Sequence, residues 1–150
     1  MPMYGIGILP MIRRLHHTVR QLWYADDSAA EGKLAKLKER WDKLITIEPD
    51  YGYFPNASKT KLLVKPENVS EAQRIFMGSG IRIITEGNEY LGCPIGSEAF
   101  IDSYVSRQTN SWVQDLEKLA AIAETQPHCV YAALPHSCIP SWNYMTTVVD

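Results

Sequence analysis

An aromatic run cut short by two acids dictates the local fold near the start of this chain. Gln21-Leu22-Trp23-Tyr24-Ala25 is rich in side chains that favour extended backbone, and Asp26-Asp27 interrupts it. Aspartate suits turns because its short carboxylate bonds nearby backbone, and it suits strands poorly. A hairpin turn is therefore expected at Asp26-Asp27. Two carboxylates held close together raise each other's energy, and a divalent cation relieves that penalty. Mg2+ prefers oxygen ligands and typically takes one or two carboxylates together with substrate phosphates. Neighbouring strand side chains point to opposite faces, but a tight turn relaxes that alternation. If one acid alone ligates, Asp26, nearer the strand, is favoured. The bland alternative is a solvated Asp-Asp turn.

The flanking segments read as helices and short strands. Residues 2–19 form an apolar helix with Ile6, Leu9, Ile12 and Leu15 on one face, Pro10 as a kink, and Arg13, Arg14 and Arg20 near the negative end of its dipole. Residues 31–47 form the clearest helix, with Leu34, Leu37, Trp41 and Leu44 on one face and Ser28-Ala29-Ala30-Glu31 as a capping box; Pro49 and Gly52 end it. After a turn-rich connector at Tyr53 to Ser58, a strand is expected at 60–65. A proline-opened helix follows at 66–77, closed by Gly78 or Gly80. Ile81 to Ile84 and Glu89 to Cys93 read as two strands around a Glu86-Gly87-Asn88 turn.

The character changes near Gly96. Residues 99–123 carry Trp112, Val113, Leu116, Leu119, Ala120 and Ala123 on one stripe, Pro127 suits the first turn of a further helix, and Pro135 and Pro140 disturb it. The expectation is an α+β chain: residues 1–96 mixed, residues 97–150 all helical.

The chain has 150 residues and a formal net charge of -2, which counts against autonomous nucleic-acid binding. Basic residues cluster locally, at Arg13, Arg14, His16, His17 and Arg20 and at Lys59, Lys61 and Lys65. Three irregularly spaced cysteines argue against a disulfide framework and fit a reducing, intracellular compartment. His128-Cys129 and His136-x-Cys138 hold zinc-ligand types at gaps that fit no familiar zinc module. The apolar start has its positive charges after the apolar run and no cleavage site, so it does not read as a signal peptide, and it is far shorter than the ~20 residues a bilayer requires. It reads as a chain that begins inside a domain. Trp41 and Trp112 fit helix core faces, whereas Trp142 and Tyr144 could stack on nucleic acid.

Four motifs follow one another in order: Tyr24-Ala25-Asp26-Asp27, then an amphipathic helix ending at Tyr51-Gly52-Tyr53, then Asn56-Ala57-Ser58-Lys59-Thr60, then Tyr90-Leu91-Gly92. The series resembles reverse transcriptases of the retrotransposon type, over essentially the whole chain. The resemblance implies the end of a polymerase palm, a short antiparallel sheet with helices, followed by a helical thumb-like region. It implies that Asp26 and Asp27 ligate Mg2+, with Mn2+ as a substitute, in two-metal nucleotidyl transfer. Tyr24 and Ala25 would lie near the primer end, Lys59 near the triphosphate, and Leu91 and Gly92 in the hairpin that positions the primer. The partners implied are an RNA or DNA template with its primer and a deoxynucleoside triphosphate. The family also uses an aspartate on an earlier palm strand, and residues 1–25 contain no Asp or Glu. The isolated chain is therefore expected to be inactive. Two alternatives stand beside this reading: a non-catalytic retroelement remnant that acts as a nucleic-acid-binding or interaction module, and a nucleotide cyclase built on a related palm.

Overall fold

The N-terminal apolar run forms helix α1, Met3–Arg14, in a computed structural model that describes residues 3–15, 19–24 and 27–149. The chain is a mixed α+β protein that divides into two compact units, Met1–Ile84 and Thr85–Asp150. Helix α1 ends before residue 19, on Arg13 and Arg14, whose charges suit the C-terminal end of the dipole. Its buried side is centred on Met11 and Leu15, one turn apart and both fully buried, while the expected face residue Leu9 is exposed.

Strands β1, Arg20–Tyr24, and β2, Asp27–Glu31, form an antiparallel hairpin. This corrects the sequence reading of Ser28-Ala29-Ala30-Glu31 as a capping box and of Glu31 as the start of a helix. The backbone of Ser28 to Glu31 is engaged by the β1 ladder, so the helix begins later, as α2, Leu34–Ile47. Gly32 separates the two. A Cβ there would lie 2.9 Å from Val19 Cγ1, so Val19 closes over a position that only glycine fills without a shift.

A 3-10 turn, Glu48–Tyr51, ends this segment at Gly52, whose φ is +66°. Strand β3, Lys61–Leu63, leads through a short 3-10 turn at Pro66–Asn68 into α3, Val69–Ile75, and then to β4, Arg82–Ile84. Strands β3 and β4 pair in parallel, and α3 supplies the crossover that a parallel pair needs. The core of this unit is Met11, Leu15, Trp41, Leu44 and Tyr53, with Trp23, Ile47 and Ile81 packed at its margin.

The expected hairpin around Glu86-Gly87-Asn88 does not form. Its residues open β5, Gly87–Tyr90, which pairs antiparallel with β6, Cys93–Gly96, and the turn lies at Leu91–Gly92. Gly87 and Gly96 face each other at the hairpin base. A Cβ on Gly96 would lie 2.4 Å from the Gly87 Cα, so the closeness of the two backbones pins the register. The expected short antiparallel sheet is thus replaced, among the described residues, by three separate two-stranded ladders, one of them parallel.

Helix α4, Glu98–Ala123, starts at Ser97, whose hydroxyl accepts from the Phe100 amide at 3.3 Å. Helix α5, Pro127–Ala133, carries Pro127 in its first turn, and a π-helical turn, Leu134–Cys138, joins it to α6, Ile139–Val148. Pro135 lies in this wider turn and Pro140 just after it, within one continuous helical run, so the disturbance expected from these prolines takes the form of a π-turn and not a break. Tyr104 and Met145 are buried here, and Trp112 meets Trp142 edge-on at 6.4 Å. Val113 and Leu116 of the expected stripe remain exposed. Among the described residues, no helix is long and apolar enough to cross a membrane.

Candidate functional site

The β1–β2 hairpin has two unlike faces. Residues opposite one another share a face in an antiparallel ladder, so Tyr24 with Asp27, Leu22 with Ala29, and Arg20 with Glu31 form one side. Leu22, Tyr24 and Asp27 are exposed on it, and Arg20 and Glu31 make a loose 3.9 Å ion pair at its base. The other side carries Gln21 and Trp23. Asp27 is thus the first residue of β2, directly across from Tyr24, rather than a purely turn residue. Ala25, Asp26, His16 and His17 lie outside the described residues.

Sequence reasoning missed what stands behind this hairpin. Arg40 of α2 is 7% exposed, the one buried charged residue among those described. Its Nε–H donates to Gln21 Oε1 at 3.1 Å, and the indole N–H of Trp23 donates to the same oxygen at 3.3 Å. The guanidinium carbon sits 5.4 Å from the Trp23 ring centroid, and Trp23 in turn packs edge-on against Tyr53 at 5.7 Å. Burial holds the Arg40 pKa below the ordinary arginine value, with Tyr53 acting in the opposite sense. A signal existed in the sequence: position 40 falls three residues after Leu37 and four before Leu44, on the apolar stripe of α2.

Lys59 stands on the loop from Asn56 to Thr60. Asn56 organises that loop: its backbone carbonyl accepts from the amides of Lys59 and Thr60 and from the Thr60 hydroxyl, and its side-chain oxygen accepts from Ser58 Oγ at 2.7 Å. Lys59 itself is exposed, and its side chain makes no ion pair among the described residues.

Leu91 and Gly92 form the two-residue turn of the second hairpin, with φ of +52° and +77°. Two left-handed residues in succession match the strand twist of a tight hairpin. Both turn carbonyls are held. The Tyr104 hydroxyl donates to Gly92 O at 3.1 Å, and the Tyr144 hydroxyl donates to Leu91 O. Burial, and to a lesser degree the Glu89 carboxylate, push the Tyr104 phenol pKa up. Tyr144, a candidate stacking residue from sequence, thus serves the turn, and Trp142 packs on Trp112.

The structure therefore brings Tyr24 to Asp27 and Leu91 to Gly92, each pair within its own unit. No group of three or more His, Cys, Asp or Glu gathers among the described residues, and Cys93, Cys129 and Cys138 are free thiols. No protein-family model matches the chain, and comparisons with curated proteins and with solved structures find no significant match.

Proposed function

We propose that this chain is part of a retroelement reverse transcriptase: the C-terminal portion of a palm followed by a helical thumb-like region. The observation that carries the reading is the β1–β2 hairpin. Its pairing of Tyr24 with Asp27 leaves an exposed aromatic residue and an exposed carboxylate side by side at the end of a tight ladder, with Asp26 between them in sequence. A hard oxygen donor exposed at the end of the ladder, as Asp27 is, suits Mg2+ or Mn2+. The second hairpin, with Leu91 and Gly92 as its turn, supports the same reading, because that motif follows in the same order.

In this reading Asp26 and Asp27 hold divalent metal, which when bound activates the primer 3′-hydroxyl and neutralises triphosphate charge. Tyr24 and Ala25 lie against the primer end. The Lys59 ammonium stabilises the leaving pyrophosphate. Leu91 and Gly92 present backbone to the primer. A complete site takes a third carboxylate from a separate palm strand, and residues 1–25 offer none. Purified chain is expected to give no primer extension with Mg2+ or Mn2+. Mn2+ titration of the wild type against Asp26→Asn tests the metal assignment directly: weaker binding by the variant is expected, and equal affinity removes the role.

A further inference from the structure

The formal charge of -2 averages over two unlike units. Met1–Ile84 holds 13 of the 15 Lys and Arg and 9 of the 17 Asp and Glu, a balance of +4. Thr85–Asp150 holds 2 and 8, a balance of -6. A cation surplus confined to one unit is an electrostatic footprint for a polyanion, and the whole-chain value conceals it.

The surplus concentrates at one end of the parallel ladder. Elsewhere in this unit Lys36 pairs with Glu39, Lys38 with Asp42, and Arg20 with Glu31. Residues 51–66 and 72–85 contain both strands and the loops that lead into them, and they contain no Asp or Glu. Parallel strands start at the same end. Lys61 and Arg82, the first residues of β3 and β4, therefore stand side by side in register, and both are exposed. Neighbouring strands lie ~4.8 Å apart, so the two side chains leave the ladder as close neighbours. Like charges placed in this way destabilise a ladder by themselves. The loops that precede the two strands are also held together. The Arg82 amide donates to Thr60 O at 3.2 Å, and a Cβ on Gly80 would lie 3.3 Å from Ala57 Cβ. Exposed Lys59 thus stands on a loop fixed beside the same end.

An anion across Lys61 and Arg82 turns their repulsion into a shared attraction. Phosphate suits both heads: a guanidinium grips it with two parallel N–H bonds, and an ammonium meets it as a point charge. Among polyanions, a nucleic-acid duplex carries one charge per ~1.7 Å of its axis. An extended acidic peptide carries at most one per ~3.3 Å.

We propose that Lys61 and Arg82 form a phosphate-contact surface for the backbone of a nucleic-acid duplex, with Lys59 on the adjoining loop adding to its field. The surface reads no sequence, because phosphate contacts position a strand without touching base edges. Nucleic acid as the polyanion rests on the reverse transcriptase reading; the place of the surface rests on the charges alone.

The test is fluorescence anisotropy of a labelled DNA duplex titrated with the full chain at several salt concentrations. Wild-type affinity is expected to fall linearly with salt on logarithmic axes. Lys61→Gln with Arg82→Gln removes two contacts and is expected to make that slope shallower by about 2, equally for duplexes of unrelated sequence. Lys36→Gln with Lys38→Gln removes the same charge from α2 of the same unit and is expected to keep the wild-type slope. A wild-type slope in the Lys61 and Arg82 variant overturns the proposal. So does a change of the same size in the α2 variant, or a wild-type chain without salt-dependent binding. If the double variant does not fold, Arg82→Gln is read alone: a change of about 1 is expected, and no change overturns the proposal. Polyglutamate is expected to compete weakly, and its displacing the duplex at matched charge concentration overturns the choice of nucleic acid. Asp26→Asn separates the surface from the metal site. If that variant keeps wild-type Mn2+ affinity, the metal reading fails and the slopes still decide the surface. If it weakens Mn2+ binding while the Lys61 and Arg82 variant keeps the wild-type slope, the surface alone fails.

Discussion

Replacing Gly92 by alanine tests the second hairpin most directly. Gly92 has φ +77°, where an L-residue is strained, and an alanine Cβ would lie 3.2 Å from Tyr144 Cε1. The left-handed conformation costs ~1–2 kcal/mol, and displacing the Tyr144 hydroxyl from Leu91 O removes ~1 kcal/mol more. Alanine lowers the entropy of the unfolded chain, which offsets ~0.4–1 kcal/mol and leaves a net loss of about 2 kcal/mol. In a unit of this size that lowers the midpoint by roughly 8–16 °C. Gly78→Ala is the control: its φ is +78°, yet nothing lies within 4 Å of the added Cβ, so strain acts alone. Its loss should be only about 1 kcal/mol after the same offset. Urea unfolding followed by circular dichroism measures both. Equal losses would refute the Tyr144 contact, and a Gly92→Ala chain as stable as the wild type would refute the left-handed turn itself.

Three further outcomes follow from the packing. Leu44→Ala empties a fully buried position in the core of the first unit and should cost about 2–5 kcal/mol, read as a lower urea midpoint. Ser97→Ala removes the cap on the Phe100 amide and should cost about 1 kcal/mol, with Ser97→Asp close to wild type. Tyr104 donates to Gly92 O only as the neutral phenol, and its folded pKa is raised above 10.0. Its contribution is therefore present below the unfolded pKa and lost as pH rises through the folded one. The stability difference between wild type and Tyr104→Phe should shrink above about pH 10, and a difference that grows there would contradict the raised pKa.

Local chemistry made much of this chain legible. Aromatic residues ending on acids foretold a hairpin, the apolar spacing of Leu34, Leu37, Trp41 and Leu44 foretold α2, and Pro127 foretold the opening turn of α5, because each depends on residues within a turn or two. The same locality misled at Ser28 to Glu31. A capping box and a strand are written with similar residues there, and pairing with β1 decided between them. The Gly-Asn signal at Gly87-Asn88 points to a turn between Ile84 and Glu89, whereas these residues open β5, because the close approach of Gly87 and Gly96 becomes visible only once the two backbones meet.

The sequence by itself determined the main helices and the first hairpin, since backbone preference and spacing are properties of neighbours. Tertiary structure alone decided that β3 joins β4 in parallel and that β5 pairs with β6 about Leu91–Gly92. Arg40 likewise lies far along the chain from Gln21 and reaches it only when α2 folds against the hairpin. A side chain's partner across space is set by packing, and no local pattern encodes it.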